Sequence, residues 1–312
     1  MIVYSDRFEK DKTRSSVVTV GSFDGLHLGH LKILQKVKQV AQESDFDSFV
    51  VTFDPHPRSV LAQNSEVSIL TSLDEKKWII EEAGIENLMV IHFTREFSQL
   101  TSDEFIKKFV LEKLNASHMV IGHDHKFGRD RLGDENKLRE IGAQLGFDVT
   151  AVAAECLNKV TISSTKVRNF LFAGELDIAN QFLGRLYSIC GIVVKGAQRG
   201  RTLGFPTANI QVDDPKKAIP KNGVYVVRCS LGKESYYGVM NIGFRPTFEN
   251  KQEIVPEAYI LNFDRDIYGE KIKIEFVKRL RDEKKFESKG SLIQQIETDK
   301  KEAEKIASLN KN

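Results

Sequence analysis

A short apolar run, Val17-Val18-Thr19-Val20, passes through a glycine-bounded turn into a segment where Leu31, Leu34 and Val37 recur at helical spacing. The turn reads Gly21-Ser-Phe-Asp-Gly-Leu-His-Leu-Gly-His30, and it limits the fold more than any other stretch. It makes a buried strand hand over directly to a helix. Such a junction presents backbone N–H groups and the positive end of a helix dipole, which together bind anions. Gly21 and Gly25 allow close backbone approach, with Phe23 and Asp24 between them. His27 and His30 stand three residues apart, so both rings can face the same anion. These residues are candidates for holding phosphate, and the chemistry they suggest is that of a nucleotide.

The rest of the first half alternates strand and helix patterns. Strands are expected at residues 17–20, 48–53, 88–93, 118–121 and 147–152, with helices at 31–42, 75–83, 102–111 and 135–145. This alternation predicts an α/β, Rossmann-like parallel sheet with helices on both faces. Ligands of such sheets bind beyond the carboxyl ends of the strands. Three unusual loops fall there: Gly21–His30, Asp54-Pro-His-Pro57 and Gly122-His-Asp-His-Lys-Phe-Gly128. Two short helices are expected between residues 161 and 185, with Gly174 as a stop. From Tyr187 onward the pattern becomes short β runs at 188–195, 223–230, 235–242, 257–263 and 271–276, followed by a helix at 291–309. That half predicts a small antiparallel β-barrel or sandwich with a C-terminal helix. The expected domains are therefore 1–186 and 187–312.

Charge narrows the partners. Lys+Arg 46 against Asp+Glu 44 leaves a net +2, and no basic stripe stands out, so neither nucleic acid nor membrane is expected. Cys156, Cys190 and Cys229 share no metal-ligand spacing and suit a reducing compartment. The first residues lack the apolar core of a signal peptide, and no apolar run is long enough to span a bilayer. A cytoplasmic protein acting on small molecules is the expectation; composition says nothing about its oligomeric state.

A second motif, Ile162-Ser-Ser-Thr-Lys-Val-Arg168, adds hydroxyl donors at Ser163, Ser164 and Thr165 and positive charge at Lys166 and Arg168. Ser and Thr cap helices, and Arg grips phosphate through parallel hydrogen bonds. Beside His27 and His30, the phosphate reading is the stronger one.

The His-x-Gly-His string resembles that of the nucleotidyltransferases, and the whole chain resembles the bacterial bifunctional riboflavin kinase/FMN adenylyltransferases, or FAD synthetases. The motifs carrying the likeness are Gly21–His30, Thr52-Phe-Asp-Pro-His-Pro57, Gly122–Gly128, Ile162–Arg168 and Gly196-Ala-Gln-Arg-Gly-Arg-Thr-Leu-Gly-Phe-Pro-Thr-Ala-Asn209. The resemblance implies that the first domain joins the AMP part of ATP to FMN and that the second phosphorylates riboflavin, each with Mg²⁺. It places His27, His30, Ser164, Thr165 and Arg168 on ATP, Asp124 at the flavin and ATP site, and Asp54, His56 and Pro57 beside the flavin. In the second domain, Gly196, Arg199, Gly200 and Arg201 form a phosphate-wrapping loop. Thr207 and Asn209 are neutral oxygen ligands suited to Mg²⁺ already carried by nucleotide phosphates. The resemblance makes Glu257 the general base and puts Arg281 and Phe286 over flavin or nucleotide. Two positions depart from the family's usual pattern: Lys166 stands where Arg is common, and His125 where Phe is common. They keep open a single-activity enzyme in which one domain only binds flavin. A flavin-sensing regulator on the same folds is the reading from another class. His123 and His125 flank Asp124, but no further ligand at a recognisable spacing supports a metal site there.

Overall fold

The computed structural model describes residues 1–62, 67–123, 125–129, 133–196, 204–246 and 252–309. The chain divides into two compact units, 1–164 and 165–312.

In the first unit the elements run β1 (Ile2–Ser5), β2 (Ser16–Val20), α1 (Leu28–Ser44), β3 (Asp47–Asp54), α2 (Pro57–Leu61), α3 (Leu73–Glu82), β4 (Asn87–His92), α4 (Ser102–Phe105), β5 (Ala116–Gly122), α5 (Glu135–Leu145) and β6 (Asp148–Val152). A wider helical turn, Ile106–Glu112, continues α4, and a small hairpin, β7 (Cys156–Leu157) and β8 (Val160–Thr161), follows β6. The first six strands form one sheet in the order β1-β4-β3-β2-β5-β6, with every neighbouring pair parallel.

Successive strand residues go to opposite faces, and both faces are buried. Val17, Val50, Leu88 and Val120 pack with Leu34 and Val37 of α1 and Ile79 and Ile80 of α3. Their neighbours Val18, Val51, Met89 and Ile121 pack on the other side with Phe105, Phe109, Leu138 and Ile141. This two-sided cover is why the strands read as continuous apolar runs rather than alternating ones. The chain winds from β2 through β3 to β4 on one side, then resumes at β5 on the other side of β2. The order therefore reverses beside β2, which is where an open sheet leaves a ligand crevice. The turn after β2 opens at that point.

The second unit starts within α6 (Ser164–Ala173) and continues through α7 (Leu176–Leu183), β9 (Ser188–Val194), β10 (Ala208–Val212), β11 (Gly223–Leu231), β12 (Glu234–Pro246), β13 (Gln252–Ile260), β14 (Lys271–Arg281) and α8 (Lys289–Leu309). Its strands close into an antiparallel barrel, β10-β13-β12-β11-β14-β9. Tyr225, Val227, Met240, Ala258, Ile274 and Phe276 are fully buried. Val226 belongs to a separate cluster in which Ala303 and Ile306 of α8 cover the barrel wall. The two short helices join this unit through Asn180, whose Nδ2 donates to the Phe276 carbonyl at 3.0 Å and whose Oδ1 accepts from the Tyr187 N–H at 2.7 Å.

The parallel sheet, the barrel and the C-terminal helix match the expected architecture. Four strands went unread, two of them the two-residue strands of the β7–β8 hairpin. β1 is a four-residue edge strand, and β10 starts at the end of the Pro-Thr-Ala-Asn string and runs three residues past it. β13 begins before Pro256, where the sequence reading starts it only after that residue. The proline is tolerated because β10 pairs with β13 only at Glu257 and Ala258, so Pro256 need donate no hydrogen bond on that side.

Candidate active sites

The turn after β2 is held by the protein's own hydrogen bonds. Phe23 and Leu26 adopt φ of 47° and 38°, and Gly25 a φ of 84°. Buried Asp24 holds this contour: its Oδ1 accepts from the N–H groups of Leu70 and Thr71 at 2.7 and 3.1 Å. The Thr71 hydroxyl in turn accepts from the Gly25 N–H at 3.0 Å. Ser164, from the second motif, donates to the Asp24 carbonyl at 2.8 Å, with half-buried Ser163 beside it. Thr165, Lys166 and Arg168 follow on α6, within the second unit.

Helix α1 begins three residues earlier than its apolar spacing suggests, because His27 caps it. The His27 Nδ1 accepts from the His30 N–H at 3.3 Å. A nitrogen that accepts carries no proton, so in the neutral ring the proton sits on Nε2 and can be donated to an anion. The two rings stack with centroids 3.8 Å apart at 14°, and Phe23 meets His30 edge-on at 5.3 Å. A Cβ on Gly29 would lie 3.3 Å from the His27 ring, a tight contact to which the ring would have to yield slightly. Two parallel imidazoles at a helix N-terminus are an arrangement chemically suited to phosphate oxygens.

The neighbouring loops are placed differently. Asp54 is exposed and precedes a cis Pro55. His56 is committed locally: its Nδ1 caps α2 by accepting from the Arg58 N–H at 3.1 Å, with Pro57 at the first helical position. Asp124 lies outside the described residues. His125 stacks on Phe127 with centroids 5.5 Å apart, so the residue found where Phe is common still presents an aromatic ring.

Lys76 is the residue that sequence reading missed. It lies on α3, only 4% exposed, and its Nζ donates to the Ser22 carbonyl at 2.8 Å and the Thr52 Oγ1 at 3.2 Å. Burial pulls its pKa down to about 8, against the opposing pull of Asp24 and Asp54. The signal was present: Lys76 precedes Ile79 and Ile80 by three and four residues, so it shares their buried face.

The second unit assembles its candidates by strand register. Asn209 of β10 lies directly opposite Glu257 of β13, and Glu257 directly opposite Asn241 of β12. Residues directly opposite in a ladder share a face, so the three form a row across the barrel wall. Asn209 is buried, and a side chain on Gly196 would collide with its carboxamide. Phe205 anchors the segment that leads to Thr207 by meeting Tyr259 edge-on at 5.6 Å. Glu283 belongs to the same region: a Cβ on Gly243 would lie 2.5 Å from its Oε1 and 3.0 Å from the Asn241 Nδ2. Arg199, Gly200 and Arg201 lie outside the described residues. Arg281 forms a two-pronged ion pair with buried Asp299 of α8, its closest contact 2.8 Å, and its guanidinium sits 5.9 Å from the Phe286 ring.

Comparison with known proteins covers both units. A family model described as FAD synthetase matches residues 9–166, and one described as riboflavin kinase matches residues 183–307. The bifunctional riboflavin kinase/FMN adenylyltransferase of Bacillus subtilis (strain 168) is 38% identical over 306 residues, 97% of this chain and 96% of its own. The protein of the same name in Escherichia coli (strain K12) is 35% identical over 296 residues, 95% of this chain and 94% of its own. A crystal structure described as a macrolide-efflux protein from Streptococcus pneumoniae superposes with a TM-score of 0.88 at 29% identity, covering 96% of this chain and 98% of that one. Among the described residues of this chain, no helix is long and apolar enough to cross a membrane.

Proposed function

The chain belongs to the bifunctional riboflavin kinase/FMN adenylyltransferases, and from that membership we propose how its residues divide the work. It phosphorylates riboflavin to FMN and adenylylates FMN to FAD, consuming ATP in each step.

Adenylyl transfer is assigned to the turn after β2. An FMN phosphate oxygen attacks the α-phosphorus of ATP, the α–β bridging P–O bond breaks, and pyrophosphate leaves. No enzyme nucleophile is required, so the protein's contribution is positioning and charge stabilisation. His27 and His30 donate to triphosphate oxygens, the N–H groups of the turn and of α1 add fixed dipoles, and Asp24 keeps the turn's shape. Ser163, Ser164, Thr165, Lys166 and Arg168 complete the ATP contacts, with Asp54, His56, Pro57 and Asp124 toward the flavin. The single observation that carries this reading is the stacked His27–His30 pair at a helix N-terminus.

Phosphorylation is assigned to the row on the barrel wall. Glu257 accepts the proton of the riboflavin 5′-hydroxyl as that oxygen attacks the γ-phosphorus and ADP leaves. The buried Asn209 carboxamide and the Thr207 hydroxyl are hard neutral donors, and the space kept clear by Gly196 lets Asn209 reach its position. These residues fit Mg²⁺ carried in on the nucleotide, and would hold it there; when bound, the ion neutralises triphosphate charge. Arg281 and Phe286, braced by Asp299, border the flavin or nucleotide. The functional boundary is proposed near Leu186, just inside the start of the stretch matched by the riboflavin kinase model at residue 183.

Two variants test the assignment. His30→Ala is expected to abolish FMN-to-FAD conversion while leaving FMN formation intact, and Glu257→Gln to do the reverse. Chromatographic separation of the flavins reads both. If either variant loses neither step, the role given to that residue is wrong.

A further inference from the structure

Lys76 has no place in the adenylyl-transfer chemistry as described, yet its burial and bonding need a reason. Lys76 is buried on α3, and its ammonium ends between the glycine turn and the end of β3. One bond goes to the Ser22 carbonyl in the glycine turn, the other to Thr52 near the end of β3. The Thr52 hydroxyl itself donates to the same Ser22 carbonyl at 3.3 Å. The carbonyl and N–H of a trans peptide point in opposite directions. Pinning the Ser22 carbonyl toward Lys76 therefore turns the Phe23 N–H away from it and fixes that peptide plane within the turn.

A neutral donor would make the same bonds without the cost of burying a charge. The cost has a definite sign. With a folded-state pKa of about 8 against an ordinary value of 10.5, the folded chain binds this proton less well than the unfolded chain does. Carrying the charge at neutral pH thus opposes folding, and stability recovers as pH rises from about 8 toward 10.5. The charged groups facing Lys76 are Asp24 from the turn and Asp54 from the end of β3. On α3 itself, Glu75 is engaged with the Ser72 N–H at 2.7 Å, and Lys77 with Asp74 at 3.0 Å. A charge kept against stability suits a place where an anion will arrive.

We propose that Lys76 is a positioning residue of adenylyl transfer, clamping the glycine turn to the end of β3 and setting a buried positive charge behind the turn that receives the nucleotide's phosphates. This rests on the assignment of that turn as the ATP site. It acts through the turn rather than on the reacting atoms.

The test uses the full chain as wild type, Lys76→Met, Lys76→Arg and His30→Ala. FMN-to-FAD conversion is followed with varied ATP from about pH 6.5 to about pH 9.5, spanning the region where such a lysine titrates. Riboflavin phosphorylation in the same samples reports folding of the second unit, and thermal unfolding reports the first. The wild-type kcat/KM for ATP should fall as pH rises through about 8. Lys76→Met should lose that alkaline fall and lie about tenfold to a hundredfold below wild type at neutral pH, the scale of a misplaced binding loop. Lys76→Arg, which keeps its charge at all these pH values, should recover part of the rate and also lack the fall. A Lys76→Met enzyme with the wild-type rate and pH profile would overturn the proposal, provided that His30→Ala is inactive. If His30→Ala were fully active too, the failure would belong to the ATP-site assignment. Should Lys76→Met not fold, Lys76→Arg decides: an unchanged alkaline fall in that variant contradicts the role of Lys76.

Discussion

The two sites are held together in opposite ways. The turn assigned to adenylyl transfer is a contiguous string whose shape is imposed from behind by two buried charged side chains, Asp24 and Lys76. The row assigned to phosphorylation is not one contiguous string, although Asn209 ends a motif of its own. Asn209, Asn241 and Glu257 come from three strands and meet only because the barrel's register places them side by side. A local site of the first kind is vulnerable to losing its internal braces. A register-built site is vulnerable to anything that shifts a strand or crowds a residue against it.

The largest expected effect that would sharpen this contrast is at Gly196. Gly196→Val should displace the Asn209 carboxamide and lower riboflavin phosphorylation about a hundredfold, the scale of an ångström-sized misplacement, while FMN-to-FAD conversion is unchanged. Steady-state assays of the two steps check it. Asp24→Ala should act on stability as much as on rate. It strands the amides of Leu70 and Thr71, and should cost about 2–3 kcal/mol in denaturant unfolding of the first unit. An Asp24→Ala protein as stable as wild type would mean that the turn holds its own shape, and the contrast would break.

A smaller effect is expected at Asp299, far in sequence from the row. Asp299→Asn weakens the ion pair that braces Arg281 beside Phe286 and should raise the KM for riboflavin or ATP several-fold, with little change in kcat. Gly29→Ala should be the mildest. Alanine favours the helix by up to about 1 kcal/mol, so unfolding should shift slightly upward. The added methyl presses on the His27 ring at 3.3 Å, so FAD formation should fall a few-fold.

The same contrast decides what a sequence can tell. The turn was legible because its glycines, histidines and flanking periodicities are adjacent; even so, the start of α1 was misplaced, since a histidine capping a helix through Nδ1 leaves no apolar signal. The paired faces of the parallel sheet could be read from continuous apolar runs. β10 could not, because five residues that start at the end of a Gly- and Pro-containing string carry too little alternation to announce a strand. Glu257 and Asn209 were found as motif members, but their pairing depends on register, which nothing in either segment encodes alone. Lys76 was passed over because a lysine in a helix normally faces water; only its spacing from Ile79 and Ile80 said otherwise. Arg281 carried a further surprise, since its closest partner is a carboxylate on α8.

The separability of the two sites is the claim on which the rest depends, and complementation tests it most directly. His30→Ala and Glu257→Gln proteins are supplied with riboflavin, ATP and Mg²⁺, first singly and then mixed in equal amounts, and the flavins are followed by chromatography. The account predicts that His30→Ala alone stops at FMN, that Glu257→Gln alone leaves riboflavin unchanged, and that the mixture makes FAD by way of free FMN. A mixture that makes FMN but no FAD, although Glu257→Gln converts added FMN by itself, would contradict it.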